Sequence, residues 1–182
     1  MKSVLNHIAI LVESIESVVG KIQVPKSHLG VLEEFPSEGT KEMYIGGSNQ
    51  MGRLLLMQAI GDGPYKRAME KRGPGIHHIA LDVLSIDSFV SNLSGSGWLL
   101  HPKSLEFYSN HRSVFLCRQN VPVLIEVQER KKLEEDNFFI SELELPFGEE
   151  RLMNSLLCDR LKIGVDIKMK IGNEQVLVRN LV

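Results

Sequence analysis

Two stretches of the chain carry the same succession of apolar and polar positions. Residues 5–16 read Leu-Asn-His-Ile-Ala-Ile-Leu-Val-Glu-Ser-Ile-Glu, and residues 76–87 read Ile-His-His-Ile-Ala-Leu-Asp-Val-Leu-Ser-Ile-Asp. Six of the twelve aligned positions are identical, and His7 and His78 are matched at an offset of 71 residues. Each copy is a β-branched, apolar run that predicts a strand, and each ends on a serine, an isoleucine and an acid. Ser14 and Ser85 are therefore candidate N-caps, since a serine hydroxyl can accept from a free N–H of the first helical turn. Residues 15–22 and 86–93 continue with apolar positions at helical spacing.

Downstream the halves also agree. Residues 42–45 and 53–59 read as strands around a Gly46-Gly47-Ser48-Asn49 turn. Residues 113–116 and 121–128 do the same around Arg118-Gln119-Asn120. Helix and strand alternate only once per half, which argues against a doubly wound sheet. The expected architecture is α+β: two βαβββ modules, about residues 1–62 and 73–130, side by side in one incompletely closed, barrel-like sheet with helices outside. Residues 24–39, with Pro25 and Pro36, read as irregular.

A C-terminal extension, residues 133–182, follows the acidic break Glu134-Glu135-Asp136-Asn137. Its pattern predicts a small βαββ unit. Residues 140–147 form a strand and 148–162 a helix, and strands over 163–171 and 175–181 are joined by Gly172-Asn173-Glu174. A unit of this size needs to pack on the main domain, residues 1–132, or on a partner.

Composition narrows the functional classes. Of 182 residues, 43% are hydrophobic and 24% charged, enough for a core that needs no disulfide staples. Cys117 and Cys158 are far apart and lack CxxC spacing, so a reducing, cytoplasmic setting is expected. A net charge of −2 gives no broad nucleic-acid surface, and no apolar run reaches the ~18 residues of a membrane span. The first residues do not read as a signal peptide. The basic run Lys66, Arg67, Lys71, Arg72 reads as a solvated helix face.

Within this frame the histidines acquire a meaning. A lone strand histidine is usually a satisfied core residue, but a pair related by a repeat approaches a common axis as two neutral imidazoles. His77 should face the opposite side of its strand. Residues 121–128 embed a single acid, Glu126, in an apolar strand, a placement that is costly unless the charge is paired or coordinated. The repeat maps Glu126 onto Leu55, so the symmetric acid is missing. Gln58 has the wrong strand parity to replace it without a bulge. Two histidines and one glutamate leave coordination positions open and suit several divalent metals.

Asn6-His7-Ile8-Ala9, Gly61-Asp62-Gly63-Pro64, the block Gly73-Pro74-Gly75-Ile76-His77-His78-Ile79-Ala80 and Val123-Leu124-Ile125-Glu126-Val127 together resemble the methylmalonyl-CoA epimerase family. That family lies in the vicinal oxygen chelate superfamily with glyoxalase I, and the resemblance covers roughly residues 4–130. It implies metal ligands at His7, His78 and Glu126, with the family's remaining ligand falling at Leu55. It further implies removal of a proton α to a thioester carbonyl and its return to the other face, while a divalent ion (cobalt, manganese, nickel, zinc or iron) chelates two substrate oxygens. Inversion requires acid/base groups on both faces, and the resemblance suggests Glu126 and Glu42. It also implies a small-molecule substrate, a coenzyme A thioester among the candidates, with the basic run near its phosphates, and a homodimer. A glyoxalase-like lyase or iron-dependent oxygen chemistry would use the same ligands, whereas Leu55 suits a noncatalytic binding module.

Overall fold

The computed structural model describes residues 1–147 and 149–182, Phe107 by its backbone alone. The first module comprises β1 (Val4–Val12), α1 (Ile15–Lys21), β2 (Glu33–Phe35), β3 (Thr40–Ile45) and β4 (Arg53–Ala59). A helix, α2 (Pro64–Arg72), leads into the second module. That module comprises β5 (Gly75–Val83), α3 (Ile86–Asn92), β6 (Leu99–Leu100), α4 (Ser104–His111), β7 (Ser113–Arg118) and β8 (Val121–Glu129). All eight strands join one sheet in the order β2-β3-β4-β1-β5-β8-β7-β6. From the central seam between β1 and β5, both halves run outward as first, fourth, third and second strand. The seam is antiparallel, while β4 is parallel to β1 and β8 to β5, as a pseudo-twofold axis at the seam requires.

The repeat holds to the residue. Ala9 pairs with Leu55 and Ala80 with Glu126. Tyr44 pairs with Leu55 and Phe115 with Glu126. The helix starts obey it too: the Ser14 hydroxyl accepts from the Ser17 N–H and the Ser85 hydroxyl from the Ser88 N–H. A second free N–H is met in each module by a side chain 43 residues on, Ile15 donating to Gln58 and Ile86 to Glu129. Gln58 is thus a helix cap on the far side from Leu55, as its parity requires.

One face of the sheet, through Leu5, Ile8, Ile10, Ile79, Leu81, Ile125 and Val127, meets α1 and α3 in the main core. The C-terminal unit joins that same core. It contains β9 (Ile140–Leu145), α5 (Glu150–Ser155), β10 (Leu161–Ile163), β11 (Lys168–Ile171) and β12 (Glu174–Leu177). Leu143, Leu156, Met169 and Leu181 belong to the shared cluster, and the Ser3 hydroxyl donates to the Leu156 carbonyl at 2.6 Å.

Some expectations change. The stretch 24–39 contains a 3₁₀ turn, Lys26–His28, and the edge strand β2. Helix α4, unannounced by any apolar periodicity, is held by the Ser104 hydroxyl, which donates to the Phe115 carbonyl at 2.8 Å. The expected helix over 148–162 shrinks to α5, with Gly148 outside the described residues; Leu161 begins another strand. The expected strands over 163–171 and 175–181 shorten to β11 and β12, and the chain closes on the 3₁₀ turn Val178–Asn180. Gly172, at φ +57°, takes the left-handed position of their turn. The unit is therefore βαβββ, but its strand order β10-β9-β11-β12 differs from that of the modules, so it is not a third copy.

The continuous core predicts one cooperative unit. Leu143→Ala should lower stability by about 2–5 kcal/mol, the usual result of emptying a fully buried leucine site. Chemical denaturation should stay a single transition by tryptophan fluorescence and circular dichroism; separate transitions for the two sheets would contradict a shared core.

Candidate metal centre

Alternation along β1 and β5 would not by itself produce the observed histidine environment. The β1–β5 register slips between Leu5 and His7, leaving Asn6 as an extra residue, and slips again opposite Ala9 and Ile10, leaving His77 extra. These are β-bulges, and they occupy equivalent places in the repeat. After each, the strand resumes with its histidine on the face opposite the main core. That face also carries Ala9, Leu11, Leu55 and Met57, against which Tyr65 and Met69 of α2 pack. The expectation for His77 is overturned. Its bulge keeps it beside the site, with Nδ1 3.0 Å from His78 Nδ1 and its ring 5.0 Å from that of Tyr65.

His7 Nε2 lies 3.2 Å from His78 Nε2, and His78 Nε2 lies 3.6 Å from Glu126 Oε2. One ligand atom from each of the three side chains falls within a common 4.8 Å. Ligand bonds of about 2.0–2.2 Å place neighbouring ligand atoms about 3.0–3.5 Å apart. Separations of 3.2 and 3.6 Å are at or near that spacing, and the two imidazoles and one carboxylate suit a divalent ion in chemistry. His7 and His78 are buried and Glu126 nearly so.

A hydrogen-bonded chain aims them. Arg130 Nε donates to Asp82 at 3.0 Å, and Asn6 Nδ2 donates to the other Asp82 oxygen at 2.8 Å. Since a carboxylate only accepts, Asn6 must turn its carbonyl oxygen to His7 Nδ1, 2.8 Å away. His7 then carries its proton on Nδ1 and presents a lone pair at Nε2, the arrangement a metal requires. Arg130 also donates to Gln128, whose Nε2 donates to Glu126 Oε1 at 2.8 Å, leaving Oε2 toward the histidines. His78 has neighbours for either tautomer: a proton on Nε2 faces His7, and one on Nδ1 faces His77 and frees Nε2.

Burial dominates the electrostatics. It pushes the His7 imidazole down to about 3, helped by the charges of Arg53 and Arg130. His77 falls to about 4 through burial and Arg72. His78 is held well below the usual histidine range by burial and by the two adjacent imidazoles. The Glu126 and Glu42 carboxyls are both raised, chiefly by desolvation. Glu42 lies on the site face of β3, where it accepts from the Thr40 hydroxyl at 3.1 Å. It is not one of the three converging ligands. Burial, with the charges of Glu38, Glu42 and Glu126 and a hydrogen bond to Glu38, pushes the Tyr65 hydroxyl well above its usual range.

Aromatic rings complete the walls. Tyr44 stands edge-on to His7 with centroids 5.6 Å apart, and Phe115 to His78 at 6.1 Å. These two are again 71 residues apart, a signal that extending the repeat beyond the first strands would have found. Leu55 takes the position equivalent to Glu126, buried and apolar, so module one gives no carboxylate at that place. The basic residues of α2 point largely to solvent, as expected, but the helix also presents Tyr65, Ala68 and Met69 to the site face. Among the described residues no helix is long and apolar enough to cross a membrane.

No protein-family model matches the chain, and no curated protein matches it in sequence. Solved structures do. A hypothetical protein, BH1468 from Bacillus halodurans C-125, is 28% identical, with 75% of this chain and 100% of that chain covered at a TM-score of 0.57. A methylmalonyl-CoA epimerase in complex with methylmalonyl-CoA and NH4+ is 19% identical, with 75% and 100% covered and a TM-score of 0.54. A Streptomyces coelicolor methylmalonyl-CoA epimerase variant in complex with 2-nitronate-propionyl-CoA is 19% identical, with 72% and 97% covered and a TM-score of 0.52. The duplicated βαβββ sheet thus has counterparts among solved structures: the chain has the vicinal oxygen chelate fold, the fold of the methylmalonyl-CoA epimerases.

Proposed function

We propose that His7, His78 and Glu126 hold a divalent ion (cobalt, manganese, nickel, zinc or iron) and that the chain is an epimerase acting at the carbon α to a thioester carbonyl. The observation that carries this reading is the convergence of three donors at ligand spacing, with the His7 tautomer fixed from behind by Asn6 and Asp82. When bound, such an ion supplies Lewis-acid stabilisation for negative charge developing on substrate oxygens. The protein's own groups handle the proton. Glu126 stands on β8 and Glu42 on β3, on opposite sides of the β1–β5 seam. A substrate seated over the seam would meet one carboxyl from each side, as inversion of a centre requires. Desolvation raises both carboxyls toward neutrality, which suits groups that must take up and return a proton. Tyr65 and Met69 of α2 pack on Ala9, Leu11, Leu55 and Met57 beside the donors and limit water there.

The proposal extends to a small acyl thioester as substrate, its coenzyme A phosphates near Lys66, Arg67, Lys71 and Arg72, and to a homodimer in the cytoplasm. A second reading is favoured by one observation, the apolar Leu55 where the repeat would place another ligand: a binding module that uses the hollow without catalysis.

Metal analysis separates the readings. The purified protein, loaded and then dialysed, should keep one divalent ion per chain, and a His7→Ala, His78→Ala double variant should keep none. Loss of metal from the native protein under the same dialysis favours the binding module. Catalysis is read by deuterium wash-in at the α carbon of methylmalonyl-CoA in heavy water. Glu42→Gln should slow exchange by about 10²–10⁴-fold with metal content unchanged, the usual scale for a lost acid/base group. Exchange unaffected by this change removes Glu42 from the mechanism.

The buried imidazoles also set a pH dependence for the metal-free protein. Unfolded histidines take up protons near pH 6.5, whereas folded His7 stays neutral to about 3 and His77 to about 4. Between those limits the unfolded state binds more protons, so stability falls as pH drops below 6.5, by up to about 1.4 kcal/mol per pH unit for each such histidine. A melting temperature that is flat from pH 7 to 5 would contradict neutral burial of these rings.

A further inference from the structure

We propose that His77 is a positioning residue for the metal centre. Its Nδ1 faces His78 Nδ1, and the hydrogen held between them decides whether His78 Nε2 carries a hydrogen or a lone pair. The purpose of this relay rests on the proposed divalent ion; the hydrogen-bond directions that define it do not.

Those directions follow from one fixed end. Asp82 only accepts, so Asn6 gives it an N–H and turns its carbonyl oxygen to His7, whose hydrogen must then sit on Nδ1. His7 Nε2 is left as an acceptor. Burial keeps the rings neutral, so each has one N–H and one lone pair. The 3.2 Å contact between His7 Nε2 and His78 Nε2 is therefore a hydrogen bond only if His78 donates. Glu126 Oε2, 3.6 Å from the same nitrogen, favours a hydrogen there as well. His78 Nδ1 then holds the lone pair, and His77 Nδ1, 3.0 Å away, must donate to it. In the metal-free protein His77, His78, His7, Asn6 and Asp82 thus form one chain in which every donor points the same way.

A ligand nitrogen must offer a lone pair. His7 is already in that state, and His78 is not. For His78 to offer Nε2, the hydrogen there leaves to solvent and the His77 Nδ1 hydrogen passes to His78 Nδ1. His77 takes a hydrogen from water at its own Nε2. One proton leaves, one crosses between the rings and one enters, so all three imidazoles stay neutral. The His77–His78 hydrogen bond is kept and only its direction reverses. His77 is placed for the exchange, being half-buried where His7 and His78 are buried, with its ring 5.0 Å from that of Tyr65.

The repeat supplies an internal control. Asn6 and His77 are equivalent residues, each the extra one at a bulge and each against Nδ1 of the histidine that follows. The amide, held by Asp82, only accepts from His7 and keeps it in the ligand state. An imidazole can donate or accept. Module one therefore presents a permanent ligand, and module two a ligand set by its neighbour.

Nitrogen-15 NMR of the imidazole rings reads the tautomers, in the metal-free protein and after loading with zinc. The metal-free protein should show His7 and His77 protonated at Nδ1, the minor form of a free imidazole in water, and His78 at Nε2. Bound zinc should move the His78 hydrogen to Nδ1 and the His77 hydrogen to Nε2, with the His7 hydrogen unmoved. His77→Asn should hold zinc as tightly as the native protein, since its carbonyl oxygen can accept from His78 Nδ1. His77→Leu should hold zinc about 10- to 100-fold more weakly, the usual cost of losing the partner behind a ligand. Should His77→Leu fold poorly, the native spectra still decide. A hydrogen on His77 Nε2 in the metal-free protein, a His77 tautomer unmoved by bound zinc, or equal zinc affinity in His77→Leu overturns the relay and leaves the metal centre standing. A native protein that keeps no zinc overturns both, and its zinc content alone tells that outcome from the others.

Discussion

The position of the two bulges, at Asn6 and His77, governs the rest of the site. A regular antiparallel seam would alternate without a break and put Leu5 on the same face as His7 and Ile76 on the same face as His78. The extra residue in each strand does two things together. It returns Leu5 and Ile76 to the core face although they share parity with His7 and His78, and it lays a hydrogen-bonding group against the ring's Nδ1. Because β1 and β5 run antiparallel about a pseudo-twofold axis, the same irregularity made twice brings two Nε2 atoms to 3.2 Å. Duplication of one strand motif thereby brings together two of the three donors of the proposed metal centre.

The candidate site is asymmetric. Asp82, Arg130, Gln128 and Asn6 link Glu126 to His7 in one chain of partners, so the buried carboxylates are not left unpaired. Asn6 and His77 are equivalent in the fold yet differ in kind. An amide oriented by a carboxylate fixes one tautomer, whereas a second imidazole leaves its neighbour free to move a proton between nitrogens. Module two places Glu126 where module one places Leu55, so equal backbones present unequal faces to whatever enters between them.

Much of this was legible in the sequence, because the repeat transmits backbone position from one half to the other. His7 with His78, the caps Ser14 and Ser85, the exclusion of Gln58 and the loss at Leu55 all follow from one offset and strand parity. The bulges were not legible, since a bulge changes parity without changing composition, and His77 was misplaced for that reason. Helix α4 and strand β2 escaped because neither has an apolar period; both are held by backbone and serine contacts to neighbouring strands. In the C-terminal unit, the leucines at 152, 156 and 157 suggested a helix longer than α5. Two of them, Leu152 and Leu156, do face the core, but Leu157 adopts a left-handed conformation and ends the helical path. Tyr44 and Phe115 were within reach of the repeat and needed only its extension to the third strand of each module.

The central claim is that imidazoles from both modules bind one ion. X-ray absorption on the zinc-loaded protein tests it directly, because imidazole rings give a distinctive multiple-scattering pattern. The account predicts a shell of nitrogen and oxygen atoms at about 2.0–2.2 Å with the signature of two imidazoles and no sulfur. A shell with one imidazole or none, or a zinc–sulfur distance near ~2.3 Å from Cys117 or Cys158, would contradict it.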